Sequence, residues 1–104
     1  MIDETSMNKE QVIAKLREHE AELKAAGIVR LAVFGSVARG DNSPQLDIDL
    51  LADFDKTKRY TLLTMGRIEN RLADLLGTGV DLLSPEWLKE SIRNQVSREA
   101  VDAF

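Results

Sequence analysis

Along the first quarter of the chain, apolar positions recur at steps of three and four. Val12, Leu16, His19 and Leu23 fall on one side of a helix, which predicts a helix over residues 8–26. Asn8 is placed to cap it, with Gln11 three residues on, and Gly27 is the expected stop. The spacing then changes. Residues 28–34 (Ile-Val-Arg-Leu-Ala-Val-Phe) read as a short, largely buried strand that breaks off at Gly35-Ser36. Val37-Ala38-Arg39 can begin a short helix, and residues 40–46 carry the Gly, Asp, Asn, Ser and Pro of a loop.

The second half repeats this alternation. Residues 47–54 read as a strand, 57–76 as a long helix with Leu62, Ile68, Leu72 and Leu75 near one side, and 80–83 as a third strand. Gly77 and Gly79 end the long helix. Ser84-Pro85 sets a capping hydroxyl before a proline at a first helical position, and predicts a last helix through Trp87, Leu88 and Ile92. The tail 100–104 is too short to assign. Strands alternating with helices predict a small α/β (α+β) fold, a short mixed sheet covered by helices. The 104 residues leave room for one domain, 1–104, and no second substrate-binding lobe.

Composition narrows the function more than the fold. No cysteine is present, so disulfides and thiolate metal sites are excluded. No apolar run approaches the roughly 20 residues of a membrane span. The start Met1-Ile2-Asp3-Glu4 is acidic and unlike a signal peptide, so the expected location is cytoplasmic, with no membrane partner. Fourteen basic residues against eighteen acidic give a formal net charge of −4, which argues against direct nucleic-acid binding. A nucleotide is still compatible, because a divalent cation reverses the sign locally.

The chemistry concentrates at Asp47 and Asp49. On a strand these two side chains share a face while Leu46, Ile48 and Leu50 share the other. Two ionised carboxylates about 4 Å apart repel by roughly 4 kcal/mol at an effective dielectric near 20. Either one takes a proton or a cation sits between them, and oxygen ligands without nearby histidine or cysteine suit magnesium. An isolated Asp-x-Asp is more often solvated surface. Gly35-Ser36 shifts that balance, because a strand-to-helix turn presents backbone N–H groups to a phosphate, and the serine hydroxyl adds a donor. Asp81, in the otherwise apolar strand 80–83, would complete a cluster of three if that strand lies beside 47–54. Gly35 and Gly40 have the outer spacing of a P-loop, but Asp41-Asn42 stands where its Lys-Ser/Thr belongs. The sole histidine, His19, lies on the first helix, and no nucleophile elbow surrounds Ser36, which argues against a Ser-His-Asp hydrolase.

Gly35-Ser36, ten residues, then Asp47-Ile48-Asp49 resembles the signature of the polymerase-beta-like nucleotidyltransferase superfamily. Phe34-Gly35-Ser36-Val37-Ala38-Arg39-Gly40-Asp41 with Asp47-Ile48-Asp49-Leu50-Leu51 is similar to its minimal nucleotidyltransferase (MNT) branch. Gly79-Val80-Asp81-Leu82-Leu83-Ser84-Pro85 is similar to that branch's third-carboxylate region. The resemblance implies that Gly35 and Ser36 hold the distal phosphates, with Arg39 supporting them or bracing the loop. It implies two Mg2+ ions on Asp47 and Asp49, with Asp81 helping to bind the second and serving as base. The implied reaction moves a nucleoside monophosphate, AMP from ATP, onto a hydroxyl. One departure is Leu46, where relatives commonly carry serine before the first metal aspartate; it removes no ligand.

With no room for an acceptor pocket, the acceptor is expected on another chain. In the MNT family the usual partner is a HEPN-type RNase toxin, adenylylated on a tyrosine, with the MNT protein as antitoxin. Two other readings stay open. The chain could neutralise its toxin by contact alone, with Met65, Trp87 or Phe104 as a docking patch, although each is more often core. It could also act alone, as a homodimer, on a small hydroxylated molecule.

Overall fold

The computed structural model describes residues 8–40 and 47–104. Helix α1 (Lys9–Glu18) and helix α2 (Glu20–Ala25) lead into strand β1 (Ile28–Phe34) and the single-turn helix α3 (Gly35–Ala38). Strand β2 (Ile48–Phe54), helix α4 (Leu62–Leu76) and strand β3 (Val80–Leu83) follow. A 3-10 turn (Pro85–Trp87), helix α5 (Glu90–Glu99) and strand β4 (Val101–Asp102) complete the order. The sheet runs β3-β2-β1-β4. β1 is antiparallel to both β2 and β4, and β2 is parallel to β3, so the sheet is mixed, as the alternation predicts.

Periodicity decides which face is covered. Ile48, Leu50 and Ala52 of β2, Leu31 and Val33 of β1, and Val80 and Leu82 of β3 are all buried in one cluster. Val12 and Leu16 of α1 and Ile68, Leu72 and Leu76 of α4 pack in that cluster. The helices start where side chains can replace missing backbone partners. Asn8 Oδ1 accepts from the Gln11 N–H at 2.8 Å, while Gln11 Oε1 accepts from the Asn8 N–H at 3.0 Å, a complete capping box.

Five expectations need correction. The helix expected over 8–26 is two helices, broken at His19 (φ −110, ψ 19), whose N–H donates to Leu16 O at 3.1 Å in a tightened turn. Val12, Leu16 and Leu23 still share the core.

The helix expected from residue 57 begins at Leu62. Asp55 Oδ1 accepts from the Thr57 N–H at 2.9 Å and from the Thr57 hydroxyl at 2.6 Å, a local turn that competes with helix. Thr61 then supplies the cap, accepting from the Thr64 N–H at 3.1 Å. Leu62, expected on the apolar side, is 94% exposed in the first turn.

The Ser84-Pro85 start gives only the 3-10 turn. Leu88 is extended (φ −103, ψ 148), and α5 opens at Glu90. The unassigned tail forms β4, with Ala103 N–H donating to Leu31 O at 2.7 Å and Arg17 Nε donating to Ala103 O at 2.6 Å. Of the three residues expected in the core, Met65 and Phe104 pack against it. Trp87 is 55% exposed while stacking on Phe54 at 6.2 Å between ring centroids. Among the described residues, no helix is long and apolar enough to cross a membrane.

Candidate active site

The second face of the sheet is built from the alternate residues of the same strands. Asp49 pairs with Phe34 on β1 and with Asp81 on β3, so the two carboxylates issue from adjacent strands onto one face. Asp81 therefore stands beside Asp49, where the expected pairing of strands 47–54 and 80–83 puts it. Asp47 lies one residue before β2 and is exposed. Its carboxylate rests against Gly79, where a Cβ would overlap Oδ1. The Ile48 N–H donates to Gly79 O at 3.0 Å, which fixes this approach. The sequence gives Gly79 as a helix stop and as the first residue of the third-carboxylate segment, without this contact. Its position two residues before Asp81 is the signal that could have shown its second role.

Gly35 closes the other side. Its φ is +73, a conformation L-residues rarely adopt, and a Cβ there would overlap Asp49 Oδ2. Both the backbone angle and the closeness of Asp49 thus favour glycine here. The chain passes from extended Phe34 (φ −139, ψ −175) directly into α3, so the unpaired N–H groups of its first turn open beside Asp49. Ser36 lies in α3 by its backbone; its side chain is outside the described residues. So are residues 41–46, the loop reading and Leu46 included. Arg39 caps α3 and is exposed, with Nη1 3.6 Å from Glu99 Oε1.

Electrostatics tie these groups together. Burial pushes the Asp49 carboxyl above its ordinary value, helped by the charge of Asp81, by a carboxyl–carboxyl hydrogen bond to Asp81 and by the charge of Asp47. The Arg39 guanidinium works in the opposite direction. Asp49 is thus the centre of an acidic group of three drawn from two places in the chain. Among the described residues, no group of three or more acidic or histidine side chains is gathered closely enough to hold a metal ion. The group is open on the sheet face, with Asp47 to one side of the Asp49–Asp81 pair.

A mixed sheet with α1 and α4 packed on one face, and on the other an acidic pair beside a Gly-Ser turn, is the framework of a nucleotidyltransferase. The chain matches the nucleotidyltransferase domain family over residues 13–103 and belongs to it, in the minimal nucleotidyltransferase branch. It is 37% identical over 93 residues to the protein adenylyltransferase MntA of Thermococcus cleftensis, covering 88% of this chain and 92% of that protein. A solved structure described provisionally as a minimal nucleotidyltransferase shares 39% identity, with a TM-score of 0.77, over 91% of this chain and 95% of that one. A Shewanella oneidensis MNT antitoxin complex with a tri-AMPylated HEPN toxin shares the fold at 16% identity, with a TM-score of 0.61, over 88% and 71% of the two chains.

Proposed function

We propose that this protein is a magnesium-dependent protein adenylyltransferase. It transfers AMP from ATP to a tyrosine hydroxyl of a HEPN-type toxin, and so acts as an antitoxin. The observation that carries the reading is the register that sets Asp81 directly beside Asp49, against a Gly35 turn that strongly favours glycine. Relatives named for protein adenylylation, and a fold shared with an MNT antitoxin in complex with an AMPylated HEPN toxin, support the same direction.

The donor set fits a hard divalent cation. It is all carboxylate oxygen, and burial first, then the neighbouring Asp81 and Asp47, raises the Asp49 carboxyl against the pull of Arg39. Asp47, Asp49 and Asp81 would hold the metal, two ions in the full site. When bound, magnesium supplies positive charge against the phosphates.

The protein's own groups do the rest. Gly35 and the N–H groups of α3, with the Ser36 hydroxyl, receive the distal phosphates, and Arg39 adds a cation at the end of the same turn. Asp81 takes the proton of the acceptor hydroxyl as its oxygen bonds to the α-phosphorus. The bond from that phosphorus to the bridging oxygen breaks, and pyrophosphate leaves. Catalysis of this kind is mainly position and charge.

The test is incubation with labelled ATP, Mg2+ and the HEPN protein encoded beside this gene. Label should appear on the toxin, and an Asp47→Ala, Asp49→Ala double variant should leave it unlabelled. Equal labelling by that variant would sink the proposal. Exposed Leu62, Leu63 and Trp87 favour one alternative, neutralisation by contact alone. Toxin inhibition that survives the double variant would select it.

A further inference from the structure

Arg39 is the cation that acts on the Asp49 carboxyl, yet the two are not partners. Burial and the neighbouring carboxylates outweigh its charge at Asp49. Among the described residues its ion pair is with Glu99 instead, Nη1 lying 3.6 Å from Oε1. Glu99 is the last residue of α5. The chain leaves α5 into β4, where Val101 pairs with Val33, two residues before Gly35. The end of α5 is thereby fixed next to α3, and the two helices are in contact. A carboxylate in a helix's last turn opposes the helix dipole, so Glu99 is answered from across the gap by Arg39 and not by its own helix.

We infer that Glu99 is a positioning residue: it holds the Arg39 guanidinium off the Asp49–Asp81 pair and so keeps that pair open to a divalent cation. This rests on the proposed function. A guanidinium is planar, permanently charged and matched to carboxylates through its paired N–H donors. Released from Glu99, Arg39 has crowded carboxylates within reach of its long side chain and can fold onto them. It would then neutralise the site from within and compete with the metal. With Glu99 in place the positive charge stays at the end of the α3 turn, and the carboxylates are left to the ion. One acid outside the site thereby protects the acids inside it.

The probe is Mn2+, which suits oxygen ligands, titrated into the nucleotide-free chain by calorimetry. Salt of about 0.15 M screens exposed charges more than about 8 Å apart. Glu99→Gln should weaken Mn2+ binding about fivefold, the most that an exposed ion pair delivers. Arg39→Gln should do the opposite and tighten it about twofold, because the competing cation is gone. In the Arg39→Gln background, adding Glu99→Gln should change nothing, since no guanidinium is left to release. Opposite signs for the two single variants separate this role from a brace between α3 and α5, which both would loosen alike. Mn2+ affinity unchanged in Glu99→Gln overturns the inference. So does weakening by both single variants, which would mark a brace. Weakening by Glu99→Gln that persists without Arg39 also overturns it, by making the charge of Glu99 itself the cause. An unmodified chain that binds no Mn2+ removes the parent reading and this one together; Mn2+ binding indifferent to Glu99 removes this one alone.

Discussion

The two faces of the sheet come from the same strands and obey opposite rules. On one face Leu50 is fully buried and packs between helices; one residue earlier, Asp49 faces the other way beside a second carboxylate. The first face gains stability from every apolar atom it hides. The second gathers like charges, and holding them there opposes folding until something positive arrives. The residues of the site are therefore a strain on the fold that the helix-covered face must offset. Stability and function are separated here by a single step along the backbone.

That separation can be broken or sharpened by experiment. The largest effect is expected from the Asp47→Ala, Asp49→Ala double variant, whose transfer rate should fall by at least about a thousandfold while its circular dichroism stays native. Leu50→Ala should do the reverse, losing about 3 kcal/mol in urea unfolding through the cavity it leaves. Asp49→Asn, in chelator and at neutral pH, should raise Tm, because it removes a charge that burial and two neighbours disfavour.

The pH dependence follows with a definite sign. The folded-state pKa of Asp49 lies above its ordinary 3.8, so between those values the native chain holds a proton that the unfolded chain has released. Its contribution is therefore largest at low pH and is lost as pH rises through the folded value. Metal-free stability curves should show that decline, Asp49→Asn should flatten it, and Mg2+ should reverse it. The smallest effect belongs to Leu62→Ala. This side chain is 94% exposed, and a change beyond about 0.5 kcal/mol in unfolding would contradict its position outside the core.

What could be read from the sequence divides along a similar line. The strand-turn-helix at 28–38 and the alternation that turns Asp49 away from Leu50 rest on local periodicity, which is visible in a chain. Asp81 beside Asp49 rests instead on the pairing of β2 with β3, which the sequence offers only as a condition. β4 is not visible, because two residues carry no pattern and become a strand only by pairing with Ala32 and Val33, some seventy positions away. The exposure of Leu62 was hidden for a related reason. Helical spacing places it with Ile68 and Leu72, but not where α4 runs past its neighbours. Gly79 was missed because a glycine after a helix already has an explanation, and its contact with Asp47 depends on the parallel register of two strands.

One side chain on α4 has a further consequence. Glu69 Oε2 accepts the Leu82 N–H at 3.3 Å. Because Gly79 O points inward to Ile48, the alternate residues 80 and 82 turn their backbone groups outward from β3, the end strand of the sheet. An outer strand with open amides invites a foreign chain to zip on, and it would do so beside Asp81. Glu69 occupies one rung of that ladder. The border of the sheet nearest the acidic group thus has one of its open amides occupied by the protein's own carboxylate.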